Sequence, residues 1–212
     1  MKNESINQHF AQAHIILQNA RQHTVIQQCL TDWGYSLQQI GQAETLLSNA
    51  QQALQTQKET YHLKLDCDRQ WRNDWAAFQQ SYSEHRSVAK IAFRHEPDLL
   101  RRLRLDHPIP KRITNLIDQA ADFYRIMSGK SKEVQKFGIK AEEITQAQTM
   151  ITSLTDQQAR RMQCKGDAES ATQQRNQALA DLRAWQREFI RIAKMALKDN
   201  PQLLEVLGVV VA

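Results

Sequence analysis

Apolar residues recur along this chain at intervals of three and four, and no stretch alternates apolar with polar in the manner of a half-buried strand. The chain reads as helix throughout. Ile6, Phe10, Ala13, Leu17 and Ala20 mark a first amphipathic stripe, which Trp33-Gly34 breaks because glycine accepts the left-handed conformation that ends a helix. Ser36 with Gln39 then predicts a capping box. From there to His95 there is no proline and Gly41 is the only glycine, so the pattern predicts one helix of about 60 residues, roughly 90 Å long at 1.5 Å per residue.

Such a helix needs a partner along its side, and a heptad supplies the seam: Ile40, Ala43, Leu47, Ala50, Leu54, Gln57, Tyr61, Lys64, Asp68, Trp71, Trp75, Phe78, Tyr82, His85, Ala89 and Ala92. The chain then repeats itself. Gly34 to Leu105 aligns with Gly138 to Val209 without a gap, with identities that include Ile40/Ile144, Ala43/Ala147, Ala89/Ala193, Pro97/Pro201 and Leu103/Leu207. The second seam runs Ile144, Ala147, Ile151, Leu154, Gln158, Arg161, Lys165, Ala168, Thr172, Arg175, Leu179, Leu182, Gln186, Phe189, Ala193 and Ala196. Both seams are apolar at their ends and polar in the middle, so the middle is expected to be wet, paired or kinked, with Gly166 as the hinge candidate. Each long helix is followed by a proline with two leucines, Pro97-Asp98-Leu99-Leu100 and Pro201-Gln202-Leu203-Leu204, which starts a short extra helix.

These elements predict an all-α fold: an elongated up-down helical bundle of two tandem helical-hairpin repeats, each a short helix plus a very long one. The repeats span residues 1–105 and 113–212, joined by a crossover at 106–112, and form one co-folded bundle. A parallel pair of long helices would leave one apolar end without a partner, whereas an antiparallel pair buries both. The long helices are therefore expected to run antiparallel about a pseudo-twofold axis, each end forming a three-helix bundle with one short helix.

Composition adds limits. Six glycines and four prolines in 212 residues suit long helices, and a net charge of +5 is only a mild basic excess. Cys29, Cys67 and Cys164 are far apart in sequence and odd in number, so free thiols are expected rather than a disulfide framework or a metal site. The first residues form no apolar signal segment and the apolar run at the end is too short to span a bilayer, so the expected location is cytoplasmic.

Chemistry-bearing residues are sparse. Glu59-Thr60-Tyr61-His62 has the spacing of a di-iron ligand pair, but the second copy reads Gln163-Cys164-Lys165-Gly166, and the seven histidines form no compact ligand set. No metal or cofactor is expected. Ser128-Gly129-Lys130-Ser131 resembles the close of a phosphate-binding loop without the preceding strand, and reads as a helix end with a basic loop. Trp71, Trp75, Phe78, Tyr82, Trp185 and Phe189 lie on or beside the seams and read as core rather than as a platform for bases. The strongest charge feature is the crossover, where Arg101, Arg102, Arg104, Lys111 and Arg112 could grip an anion; the matching segment of the second copy lacks these charges. The final residues Val206, Leu207, Val209, Val210 and Val211 could seed a homodimer.

The expectation for function is a non-enzymatic helical protein that presents surfaces to other proteins or to itself. The alternatives are an anion- or nucleic-acid-binding protein that uses residues 101–112, and a membrane-active bundle that opens at its polar middle.

Overall fold

The computed structural model describes residues 5–209, and all their regular structure is helical: α1 (Ile6–Gln22), α2 (Thr24–Asp32), α3 (Leu37–Ala92), α4 (Pro97–Arg102), α5 (Ile113–Ser128), α6 (Ser131–Gln135), α7 (Ala141–Ala196) and α8 (Gln202–Val206). Helix α1 starts in a full capping box, in which the Ser5 hydroxyl accepts from the Gln8 N–H and the Gln8 amide oxygen accepts from the Ser5 N–H at 2.8 Å. The first stripe does not run on to Trp33 as the pattern suggests. It breaks at His23, whose extended backbone ends α1 and whose Nδ1 accepts from the Ile26 N–H, so one imidazole caps a second helix that buries Ile26 and Leu30.

Both long helices contain 56 residues, and the offset that carries Gly34 onto Gly138 also carries Leu37 onto Ala141 and Ala92 onto Ala196. Their starts are built alike: the Gln39 side chain accepts from the Ser36 N–H at 2.6 Å, and the Glu143 carboxylate from the Lys140 N–H at 2.8 Å. The hinge candidate Gly166 lies inside unbroken helix.

The chain divides into two compact units that cut across the sequence repeats, because each long helix serves both. Unit 1 comprises Met1–His62 and Asp167–Ala212, and unit 2 comprises Leu63–Gly166. Helix α3 packs against α7. Within unit 2, Asp68 meets Arg161 and Asp74 meets Gln157, so numbers fall along α7 as they rise along α3. Within unit 1, Tyr35 meets Phe189 and Gln57 meets Arg175, in the same antiparallel sense. Every seam residue except Tyr61 and Lys165 is buried or half-buried.

Unit 1 buries Ala13, Ile16, Leu17 and Ala20 of α1, Ile26 and Leu30 of α2, Ile40 to Ala50 of the α3 seam, and Leu179, Leu182, Phe189 and Ala193 of α7, closed by Leu204 and Leu207. The core of unit 2 is more aromatic: Trp71, Phe78, Tyr82 and Phe93 of the α3 arm meet Phe123 and Tyr124 of α5. Stacked or tilted pairs run Trp71–Trp75–Phe78–Tyr82 with ring centroids 5.4, 5.9 and 5.8 Å apart.

Four helix ends share one stop signal, the Schellman turn, in which the turn residue takes positive φ and the N–H of the residue after it bonds to the carbonyl five residues back. The closing bonds are Tyr35 N–H to the Leu30 carbonyl, Leu105 to Leu100, Ile139 to Val134 and Val209 to Leu204. Three of the turn residues are Gly34, Gly138 and Gly208, at φ 83°, 96° and 74°. The fourth is Arg104, at φ 51°.

Candidate functional site

The crossover after α4 gathers the exposed cations of the sequence reading on a turn anchored by apolar neighbours. Leu99, Leu103 and Leu105 are buried in the unit 2 core, while Arg101, Arg102, Arg104, Lys111 and Arg112 are all exposed. Arg101 pairs with Asp98 at 2.9 Å and Asp106 with His107 at 3.6 Å. Among the described residues, Arg102, Arg104, Lys111 and Arg112 have no salt-bridge partner, so four cations face solvent uncompensated.

What fixes this turn is a residue outside the sequence-predicted set. Arg86 of α3 is 4% exposed and has no carboxylate partner among the described residues. Its Nη2 donates to the main-chain carbonyls of Arg104 at 3.1 Å and His107 at 2.7 Å, and the guanidinium lies 5.6 Å from the centre of the Tyr82 ring. Buried charge without such acceptors is expensive, so the carbonyls of the crossover and Arg86 depend on each other. One signal in the sequence could have found it: the repeat places Ile190 opposite Arg86, an apolar residue at a position that the Tyr82, Ala89 and Phe93 spacing marks as inward.

A second cluster occupies the polar middle of unit 2. Arg161 Nε donates to Asp68 Oδ1 at 2.8 Å while its guanidinium stacks 4.4 Å over the Trp71 ring. This arginine holds the Asp68 carboxyl below the usual carboxylate range through its hydrogen bond. Asp74 accepts from Gln157 at 2.7 Å and Gln70 at 2.8 Å. In unit 1 the polar seam is lighter, with Arg175 donating to Gln57 at 3.3 Å and to its neighbour Asn176. The polar seam is thus paired within each unit.

The cysteines correct the sequence expectation of free thiols. Cys67 and Cys164 form a disulfide from α3 to α7, with Cα atoms 7.0 Å apart, and only Cys29 is free. Sequence spacing could not show this, because 97 residues separate the pair and only antiparallel packing brings them together. Cys67 lines a shallow groove of about 230 Å³ with Leu63, Asp66, Gln70, Gln157 and Arg160.

The remaining candidates resolve into structure. Glu59 and His62 are exposed, Glu59 accepting from Gln55 at 2.7 Å. Gly129 caps α5, and Lys130 reaches Glu133 at 3.2 Å. His85 Nδ1 lies 2.9 Å from the Tyr124 hydroxyl; burial pushes the histidine pKa down and the tyrosine pKa up. Trp71, Phe78, Tyr82 and Phe189 are buried, with the half-buried Trp75 and Trp185 packed against the cores. Of the apolar tail, Leu207 and Val209 are buried in unit 1, Val206 is 42% exposed, and Val210 and Val211 lie outside the described residues. Among the described residues, no helix is long and apolar enough to cross a membrane. No family model, curated protein or solved structure matches the chain.

Proposed function

We propose that this chain is a non-enzymatic helical scaffold, made of two tandem copies of a short helix followed by a very long one, that works by holding a protein partner on the outer faces of its long helices. The observation that supports this reading is the division of labour along α3 and α7. Seam residues are spent inward, while large apolar side chains stand in the open on the same helices of unit 2: Leu63, 45% exposed, Leu65, 37% exposed, and Met162, 69% exposed. A second copy of the chain is one candidate partner, through Val206 and Ile15, 46% exposed beside Gly208, because Leu207 and Val209 are committed to the core. A photo-crosslinking amino acid at Met162 tests the proposal in living cells. Adducts to one protein, absent when the same group replaces exposed Arg183, support it; identical patterns at both positions refute it.

A second reading, an anion- or nucleic-acid-binding protein using residues 101–112, is favoured by one observation, the fixed conformation of the cationic crossover under Arg86. Location enters through the disulfide, since a paired Cys67 and Cys164 fit an oxidising environment better than the reducing cytoplasm expected from sequence. Thiol labelling of the chain extracted from cells into acid resolves that point.

A further inference from the structure

The four Schellman turns invite a question that only their comparison raises. Three use glycine, which adopts positive φ without steric cost, and the fourth uses arginine, which does not. The copy shows what the fold alone requires at that place: Gly208 stands opposite Arg104, and a side chain there would bring its Cβ within 3.1 Å of Ile15. The residue that steadies the turn also departs from the copy, since buried Arg86 stands opposite Ile190. Two costly choices, a strained non-glycine turn and a buried guanidinium, thus meet in one loop, bonded to each other through the Arg104 carbonyl at 3.1 Å. Backbone strain that the surroundings hold in place concentrates at functional positions. What the loop gains is a cation on a fixed turn, preceded in the chain by Arg101 and Arg102 and followed by Lys111 and Arg112.

The geometry points to the crossover as a preformed binding site for the phosphodiester backbone of a nucleic acid, with Arg102, Arg104, Lys111 and Arg112 contacting phosphates and Arg86 as the positioning residue. This inference rests on the second reading above and sharpens it. Phosphodiester oxygens suit the site because its cations are unpaired, exposed and carried on one short segment, which reads charge rather than base edges. A membrane surface suits it less. The leucines that alternate with the arginines, Leu103 and Leu105, are 1% and 3% exposed, so they are turned into the core and cannot enter a bilayer.

Fluorescence anisotropy with a labelled 20-base-pair DNA duplex, over a salt series, tests the site in the full chain. The expected slope of log affinity against log salt is about −4, at roughly −0.9 per neutralised phosphate. Arg104→Gly supplies the decisive variant, because it removes one cation while relieving the turn. Its denaturation midpoint should rise, its slope should shrink by about one, and its affinity should fall about eightfold at 0.1 M salt, the factor that one lost contact gives at that slope. Arg86→Ile, which copies Ile190, should also shrink the slope although it removes no exposed charge; a pure loss of stability would leave the slope of the folded fraction unchanged. Arg183→Gln, an exposed cation elsewhere, should change neither. DNA binding that Arg104→Gly and Arg183→Gln weaken equally overturns the crossover site but leaves the second reading standing. No binding to DNA at 50 mM salt overturns both, as does binding to phosphatidylserine vesicles without binding to DNA. A lowered midpoint for Arg104→Gly overturns the strain on which the inference stands.

Discussion

Units 1 and 2 are each built on one part of each long helix and fill their cores differently. Along the long helices, Trp75, Phe78, Tyr82 and Phe93 of unit 2 stand opposite Leu179, Leu182, Gln186 and Leu197 of unit 1. The α5 arm adds Phe123 and Tyr124, where α1 offers Ile16, Leu17 and Ala20. Unit 2 therefore has the more aromatic core. It also carries the buried Arg86 and the strained Arg104. The difference teaches that capping and periodicity fix where helices start and stop while the side chains on them are free to diverge, and that the strained turn and the buried guanidinium lie in the unit with the more aromatic core.

Large-to-small changes break this comparison most directly. Phe78→Ala should destabilise by about 4 kcal/mol and its counterpart Leu182→Ala by about 3 kcal/mol, because both side chains are fully buried and the ring leaves the larger cavity. Denaturant midpoints give the totals, and hydrogen exchange shows which unit opens first. Equal losses would show that the aromatic ladder adds nothing beyond an aliphatic core.

Reduction of the Cys67–Cys164 bond comes next. It closes a long loop at a stretch where neither apolar core reaches, since the buried clusters stop at Trp71 and Leu154 on one side and at Ala50 and Leu179 on the other. Disulfides of this kind contribute about 3 kcal/mol. Cys67→Ser should therefore lower the midpoint of oxidised protein by that amount and leave reduced protein almost unchanged; a variant as stable as the oxidised parent would remove the bond from the account.

Gln186 occupies the position of Tyr82 but is 5% exposed with an amide oxygen that has no hydrogen-bond partner. Gln186→Met keeps the volume and removes the unmet acceptor, so unit 1 should gain about 1 kcal/mol. A loss instead would show that the amide nitrogen holds a contact worth more than the stranded oxygen.

The smallest effect concerns pH. Burial lowers the pKa of His85, against the pull of Glu143 and Glu84, so the folded state binds its proton less readily than the unfolded chain. Stability from this group is therefore complete above the ordinary histidine value of 6.5 and declines as pH falls below it. His85→Phe, the residue of the copy at Phe189, should flatten the stability profile between pH 7 and pH 5. An unchanged profile would assign the acid sensitivity to other histidines.

Much of the fold was written in local pattern. The three-four spacing, the glycines at 34 and 138, and the prolines at 97 and 201 set helix type, length and ends, because those signals act within one or two turns. The break at His23 is not legible in the sequence, since a histidine cap has no compositional signature and the apolar stripe continues past it. The cationic crossover was visible as a run of charges, and its anchor was not. Arg86 reads as one more surface cation on a helix until the chain folds back and brings the Arg104 and His107 carbonyls against it. Cys67 and Cys164 read as isolated thiols for the same reason. The sequence by itself determined the helices, because hydrogen bonding, capping and periodicity are local. Only the tertiary structure decided which polar groups became partners, because burial and long-range pairing exist only once α3 and α7 lie side by side.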